Sequence, residues 1–249
     1  MKKITCFLAG LTACVSLNVR ADSDVTVFSA DRSETAVVSH AQNLAQLVAS
    51  PALANTWWPG TVISEKLATA AAVQQQQQLL ARLKGWSTEL RADDDGEKAA
   101  VVDNLYQQIA AIKVTGRQIV NLDPDWVRLR PEENRRLEGE YSVYTLRKPD
   151  SLTVAGLISG SGKTPWTPGR SVTDYLAAHE RLAGGERNFV TLIAPSGKTE
   201  QVPVAYWNRR DVEPEAGSTL YVGFSNWSLP DGPDINQQII SVLTHRIPD

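Results

Sequence analysis

The sequence contains few of the residues that bind metals or form covalent links: two cysteines, three histidines and one methionine among 249 residues. Both cysteines, Cys6 and Cys14, lie near the N-terminus, so the rest of the chain has no disulfide, cysteine metal site or thiol nucleophile. No two of the histidines, His40, His179 and His245, have the close spacing of a metal-binding pair. We interpret them as surface or packing residues and expect no metal and no cofactor.

The sequence also lacks an excess of positive charge, with 25 Lys and Arg residues against 28 Asp and Glu residues. This balance disfavours nucleic acid and anionic membrane surfaces as partners. Beyond the N-terminal segment, no apolar run reaches the roughly 18 residues that a membrane-spanning helix needs. The G-x-S-x-G motif of serine hydrolases is missing as well. We therefore expect no stable membrane span and no serine hydrolase activity.

The N-terminus has the pattern of a bacterial secretory signal peptide. Lys2 and Lys3 precede an apolar run at residues 4–17, and small residues allow cleavage after Ala21. We predict a soluble periplasmic product. An alternative is a lipoprotein processing box ending at Cys14, which would anchor the chain through a lipid on that cysteine.

The remaining chain shows a weak internal repeat. Short β-branched runs at residues 25–28 and 36–38 precede a helix capped by Asn43, and residues 152–154 precede a helix capped by Ser171 in the same way. The later predicted strands are residues 118–122, 126–129 and 141–146 in the first copy, and residues 189–193, 201–205 and 219–224 in the second. The order ββαβββ predicts an α+β protein of two tandem β-grasp (ubiquitin-like) domains, at residues 22–149 and 150–228.

Two helical features lie outside this repeat. Residues 64–113 form a predicted helical hairpin inserted in the first domain, because apolar residues recur at helical spacing on both sides of an Asp93–Gly96 turn. We interpret the acids of that turn as a helix cap and not as a calcium loop. Residues 229–249 carry a predicted C-terminal amphipathic helix, over residues 233–246, whose apolar face consists of Ile235, Ile239, Val242 and Leu243.

The run Gly162-Lys163-Thr164 is how a phosphate-binding loop ends, and it raises the question of nucleotide binding. The first glycine of that motif is missing, since Leu157 stands at its position. Pro165 and Pro168 also follow, where the motif requires a helix N-terminus. We therefore predict that the protein binds no nucleotide.

Several short motifs resemble the GfcC family of periplasmic proteins, whose operons assemble capsule or related exopolysaccharide. The motifs cover most of the chain: Trp57-Trp58-Pro59-Gly60, Thr115-Gly116-Arg117, Leu122-Asp123-Pro124-Asp125, Gly169-Arg170-Ser171-Val172-Thr173-Asp174-Tyr175-Leu176, Arg181-Leu182-Ala183-Gly184, Trp207-Asn208-Arg209-Arg210 and Val242-Leu243-Thr244. The resemblance implies two tandem β-grasp domains, the helical-hairpin insert and the C-terminal amphipathic helix. The second domain is also similar to the ligand-binding modules of outer-membrane polysaccharide exporters. Their strand-turn-strand unit corresponds to residues 152–169, and this similarity implies that Lys163 lies in a β-hairpin turn.

The resemblance implies a non-enzymatic accessory role in capsule or exopolysaccharide assembly and export, through contacts with envelope proteins near the export machinery. Direct polysaccharide binding is an alternative, with Trp57, Trp58 and Trp166 as candidate glycan-contact or interaction residues, unless they fill seams between domains. A glycan-processing enzyme is the weakest alternative, and would need carboxylates to converge from Asp123, Asp125, Glu138 and Glu140.

Arg117 is the polar residue to which we assign a structural role. The resemblance places it in the signature Thr115-Gly116-Arg117, where the insert rejoins the sheet. Its apolar neighbourhood predicts partial burial, and a buried guanidinium normally needs a carboxylate partner. We therefore expect Arg117 to form a structural ion pair that locks the insert to the domain.

Overall fold

The computed structural model describes residues 23–225, 229–230 and 232–248. The predicted signal peptide and Cys14 lie outside these residues. The described chain has mixed α+β architecture, with two five-stranded sheets. The first sheet is built by the N-terminal part of the chain and the second by the C-terminal part.

The first sheet has the strand order β2-β1-β5-β3-β4. Its central strands β1 and β5 run parallel, and the other neighbours are antiparallel. The strands are β1 (Ser23–Phe28), β2 (Thr35–Ala41), β3 (Val62–Glu65), β4 (Arg117–Gln118) and β5 (Gly139–Tyr144).

The second sheet has the strand order β7-β6-β10-β8-β9, again with one parallel pair at its centre, β6 and β10. The strands are β6 (Ser151–Gly156), β7 (Gly162–Pro165), β8 (Phe189–Ile193), β9 (Thr199–Pro203) and β10 (Thr219–Val222).

The two sheets share one topology, since each has the order second, first, fifth, third, fourth when its strands are counted along the chain. A short helix follows the second strand in both: α1 (Leu44–Val48) and α5 (Val172–Leu176). Asn43 caps α1 through the backbone N–H of Gln46, and Ser171 caps α5 in a capping box with Asp174. The internal repeat predicted from the sequence is therefore present in the strand order of the two sheets and in the position of the helix that follows the second strand of each.

The helical hairpin consists of α2 (Lys66–Ala92) and α3 (Gly96–Ala110), inserted between β3 and β4. Asp95 caps α3 and accepts from the backbone N–H of Lys98, as the turn interpretation requires. The hairpin does not bury its apolar face against the first sheet. Leu79, Leu83 and Leu105 belong to the core of the second sheet instead, so the insert of one half packs on the other half.

The C-terminal helix α6 spans Ile235–Thr244, which is shorter than the predicted 233–246 because Asp234 caps its start and His245 already lies at its C-cap. The four residues of its expected apolar face, Ile235, Ile239, Val242 and Leu243, are all buried. They join the same core as the hairpin and the second sheet. The helix is thus docked between the insert and the second sheet.

Three sequence predictions for the first sheet are corrected by the structure. The segment predicted as a strand at residues 126–129 belongs to a helix, α4 (Pro124–Leu129), because Asp123 caps it and Pro124 fits its first turn. The strand predicted at 118–122 is reduced to β4, and β3 between β4 and β5 was not predicted.

Lys163 lies in strand β7, opposite Thr153, and not in the hairpin turn where it was predicted. The turn precedes it, and Gly160 there has a φ of 60°. Thr164 continues the strand, so no helix N-terminus follows the lysine. The phosphate-loop geometry is absent at this position.

Candidate functional site

The triplet Thr115-Gly116-Arg117 joins three parts of the chain. Thr115 is fully buried, and its backbone N–H donates to the carbonyl of His245, just beyond α6, at 2.8 Å. The backbone N–H of Gly116 donates to Oγ1 of Thr69 on α2 at 2.9 Å. A Cβ on Gly116 would collide with the backbone of Ala68 and Thr69, so only glycine permits this approach.

Arg117 extends from β4 toward the second sheet. Its guanidinium donates to the carbonyl of Pro195, in the turn between β8 and β9, and to the carbonyl of Thr244 in α6 at 3.4 Å. Gly197 leaves room for it, since a Cβ there would lie 3.0 Å from the guanidinium carbon. The residue therefore links the first sheet, the second sheet and the C-terminal helix.

The expected carboxylate partner of Arg117 is not found among the described residues, where backbone carbonyls take that place. Burial, and then the nearby charge of Arg246, lower the pKa of Arg117 to about 10. The residue still carries its charge at neutral pH. Arg117 was predicted to pair with a carboxylate and to lock the insert to its own domain. It instead contacts backbone carbonyls and joins the first sheet to the second sheet and to α6.

A groove of about 700 Å³ opens beside Arg117, between the two halves of the molecule. One wall comes from the first half, including Trp58, Gln118 and Trp126. The other wall comes from the second half, through Lys198 after the β8–β9 turn and Glu215 before β10. The volume lies in the range of ligand-binding clefts in proteins.

Trp126 is the main aromatic surface of this groove. The residue is 38% exposed, and its Nε1 donates to the carboxylate of Glu133 at 2.5 Å. The guanidinium of Arg130 lies 4.0 Å from the ring centroid. These two contacts fix the ring orientation. Trp58 lines the same groove, and its half-buried ring packs on the core of the first sheet.

The other two tryptophans singled out from the sequence lie elsewhere. Trp57 is half-buried and lies against Gly60, where a Cβ would collide with its ring. Trp166 donates from Nε1 to the carbonyl of Pro214 at 2.8 Å and packs on the second core. The three candidates therefore do not form one aromatic row.

The four carboxylates considered for glycoside cleavage are also separated. Asp123 lines the groove, but it is used as the cap of α4 and accepts from the backbone N–H groups of Asp125 and Trp126. Asp125 pairs with Arg128 at 2.7 Å. Glu140 pairs with Lys66 at 2.6 Å on the first sheet, and neither it nor Glu138 lines the groove. The structure does not bring these four side chains together.

A second surface feature lies at the tip of the loop after β9. Tyr206 is fully exposed and the adjacent Trp207 is 74% exposed. The loop is nevertheless held in place, because Asn208 accepts from the backbone N–H of Ala205 at 3.0 Å and donates to the carbonyl of Asn188 at 3.4 Å. We call Tyr206 and Trp207 the aromatic tip.

Two classes of site are absent from the described part of the chain. No group of three or more histidine or acidic side chains is placed to hold a metal ion there. No helix within the described ranges has the length and apolarity needed to cross a membrane.

Sequence reasoning missed Trp126 and the aromatic tip for different reasons. Trp126 was assigned to a strand, although the Asp-Pro-Asp start before it signals a helix N-terminus that would expose one face. The exposure of Tyr206 and Trp207 has no local sequence signal, since large aromatic residues are mostly buried. Trp207 does stand in one of the family motifs, Trp207-Asn208-Arg209-Arg210, but the motif does not show that its ring is exposed.

Comparison with known proteins shows two matches to models of one protein family. Residues 21–148 match the family model described as "Capsule biosynthesis GfcC, N-terminal", and residues 160–248 match "Capsule biosynthesis GfcC C-terminal". The chain is also similar to the "Uncharacterized protein YjbG" of Escherichia coli strain K12. The two are 47% identical over 232 residues, which cover 93% of each chain.

Proposed function

Because the chain belongs to the GfcC family of capsule biosynthesis proteins, we propose that it is a periplasmic, non-enzymatic accessory protein for capsule or exopolysaccharide assembly and export. It acts through contacts with envelope proteins near the outer-membrane export machinery. Each five-stranded sheet with its capped helix represents a β-grasp domain, a proposal supported by the shared strand order.

The observation that carries the contact role is the aromatic tip. Isolated exposed apolar residues are ordinary, but two adjacent large aromatic rings on a hydrogen-bonded loop are costly to leave in water. Tyrosine, tryptophan and arginine are the residues most enriched at the energetic centres of protein interfaces. Arg209 and Arg210 flank the tip and are oriented by Asp211 and Glu200. The tip therefore has the composition of a protein contact.

The non-enzymatic part of the proposal is supported by the side chains of the groove. Its Asp123 caps α4 and its Glu133 accepts from Nε1 of Trp126, so two of the four acidic residues that line the groove are already used in structural contacts. Direct polysaccharide binding is a second candidate function, favoured by the position of Trp126 and Trp58 in the groove.

Capture of partners from envelope extracts tests the contact role. We expect the wild-type protein to retain a defined envelope protein, and the double variant Tyr206→Ser/Trp207→Ser to lose it. Leu67→Ser is the matched control, because Leu67 is 79% exposed on α2, far along the chain from the tip. Equal capture by the double variant and the wild type would exclude the aromatic tip as the contact.

A further inference from the structure

We propose that the groove between the two halves binds a short, largely uncharged stretch of polysaccharide, with the Trp126 ring as the stacking surface. This inference rests on the proposed function, which supplies the polysaccharide context. It adds the site, the ligand class and the residues that recognise it.

The Trp126 ring is preorganised for stacking. The carboxylate of Glu133 lies 2.5 Å from Nε1 at the edge of the ring. The guanidinium of Arg130, which does not line the groove, covers one face of the ring. A ring that is already oriented loses little conformational entropy when a ligand packs on it. The polarised C–H groups of a sugar ring are attracted to the negative face of an aromatic system. Trp58 provides further aromatic surface in the same groove.

The polar lining suits hydroxyl groups better than a strong charge. Of the charged residues that line the groove, Arg117, Asp123 and Glu133 are already used in contacts within the protein, which leaves two basic side chains, Arg135 and Lys198, and two acidic ones, Glu132 and Glu215. Such a lining offers both donors and acceptors, which a sugar hydroxyl can use at once. A polyanion would meet as many repulsive as attractive partners. The ligand class is therefore a mainly neutral glycan.

The two walls come from different halves of the chain, and Arg117 ties them together. Gln118 and Trp126 line the first wall, and Lys198 and Glu215 line the second. Arg117 fixes their spacing through the carbonyl of Pro195. A groove of about 700 Å³ that is open to solvent can hold a segment of a longer strand without enclosing its ends.

Calorimetric titration tests the proposal on the full-length protein. The probes are short oligosaccharides released by partial hydrolysis from the extracellular polysaccharide of the producing bacterium. We expect Trp126→Ala to weaken binding about tenfold, the scale of one aromatic contact. Leu129→Ala, on the same helix but outside the groove and 76% exposed, should bind as the wild type does. Trp126→Phe keeps a ring and should retain most of the affinity.

Melting curves show whether each variant is folded. If Trp126→Ala does not fold, Trp126→Leu tests the same contact, because leucine keeps apolar bulk but has no aromatic face, and it should weaken binding to a similar extent. Absence of binding by the wild type, or equal binding by Trp126→Ala and wild type, would overturn the proposal. Loss of envelope-protein capture by Trp126→Ala without glycan binding would make the groove a protein interface, which also overturns it. The aromatic-tip experiment is unaffected by these results, so the proposed function stands or falls separately.

Discussion

At the scale of single residues, Arg117 shows how one side chain can position two halves of a molecule without an acidic partner. Its guanidinium is largely buried, and it replaces water with the carbonyls of Pro195 and Thr244. Those carbonyls belong to the second sheet's β8–β9 turn and to α6. Loss of Arg117 would leave them without this donor and would loosen both attachments.

We expect Arg117→Ala to lower the free energy of unfolding by about 1 to 3 kcal/mol, since buried carbonyls lose a charged donor. Arg117→Lys should restore only part of it, because lysine lacks the planar fork that reaches two acceptors. Denaturant melts provide the measurement. Arg128→Ala is the control, because its side chain is exposed and pairs with Asp125 on the same helix. An Arg117→Ala protein that melts like the wild type would show that the link is not structural.

Gly116→Ala gives a sharper test of the same junction. The added Cβ would overlap the backbone of Ala68 and Thr69, which cannot move without shifting α2, so we expect loss of about 3 kcal/mol or more. Gly85→Ala, within α2 itself, is the matched control. Its Cβ would meet nothing, and alanine should stabilise the helix by up to about 1 kcal/mol. Similar melting of both variants would contradict the proposed close approach.

At the scale of elements, the C-terminal helix and the hairpin depend on each other. Arg82 on α2 donates to Gln238 on α6 at 2.7 Å, and the buried face of α6 completes the core between them. Burial of four large apolar side chains contributes several kcal/mol before ordering costs are subtracted. Docking on the chain itself is therefore the stable state of this helix.

A pair of matched substitutions on α6 tests this docking. Ile239→Asp places an unpaired carboxylate in the core and should cost about 3 to 5 kcal/mol, with increased binding of a dye for apolar surface. Gln237→Asp introduces an aspartate on the exposed face of the same helix and should have little effect. Equal stability and dye binding in the two variants would mean that α6 is not docked between the hairpin and the second sheet.

The elements also show what the sequence could predict. The caps at Asn43, Asp95 and Ser171 are local signals, so the helices after them were found correctly. Residues 126–129 failed because a four-residue apolar pattern cannot distinguish a strand from a short helix. Strand β3 was missed because its four residues are too few to show an alternating pattern and because the long helix α2 begins directly after them.

At the scale of the whole molecule, the properties that matter most come from distant segments. The groove combines segments near residues 58, 118 and 126 with others near 198 and 215. No periodicity or motif predicts that meeting, because it depends on how the two sheets are packed. The exposure of the aromatic tip is likewise a property of the folded surface. The family, the repeat and single residues such as Trp58 and Arg117 were accessible from sequence, and the two walls that these residues share with the second half were not.

The most direct test of the account is the amount of polysaccharide at the surface of cells that lack the gene and carry defined copies of it. The wild-type copy should restore surface polysaccharide. The Tyr206→Ser/Trp207→Ser copy, present in the envelope at the same level and equally stable, should not restore it. Full restoration by that double variant, or normal surface polysaccharide in cells without the gene, would contradict an accessory role carried by the aromatic tip.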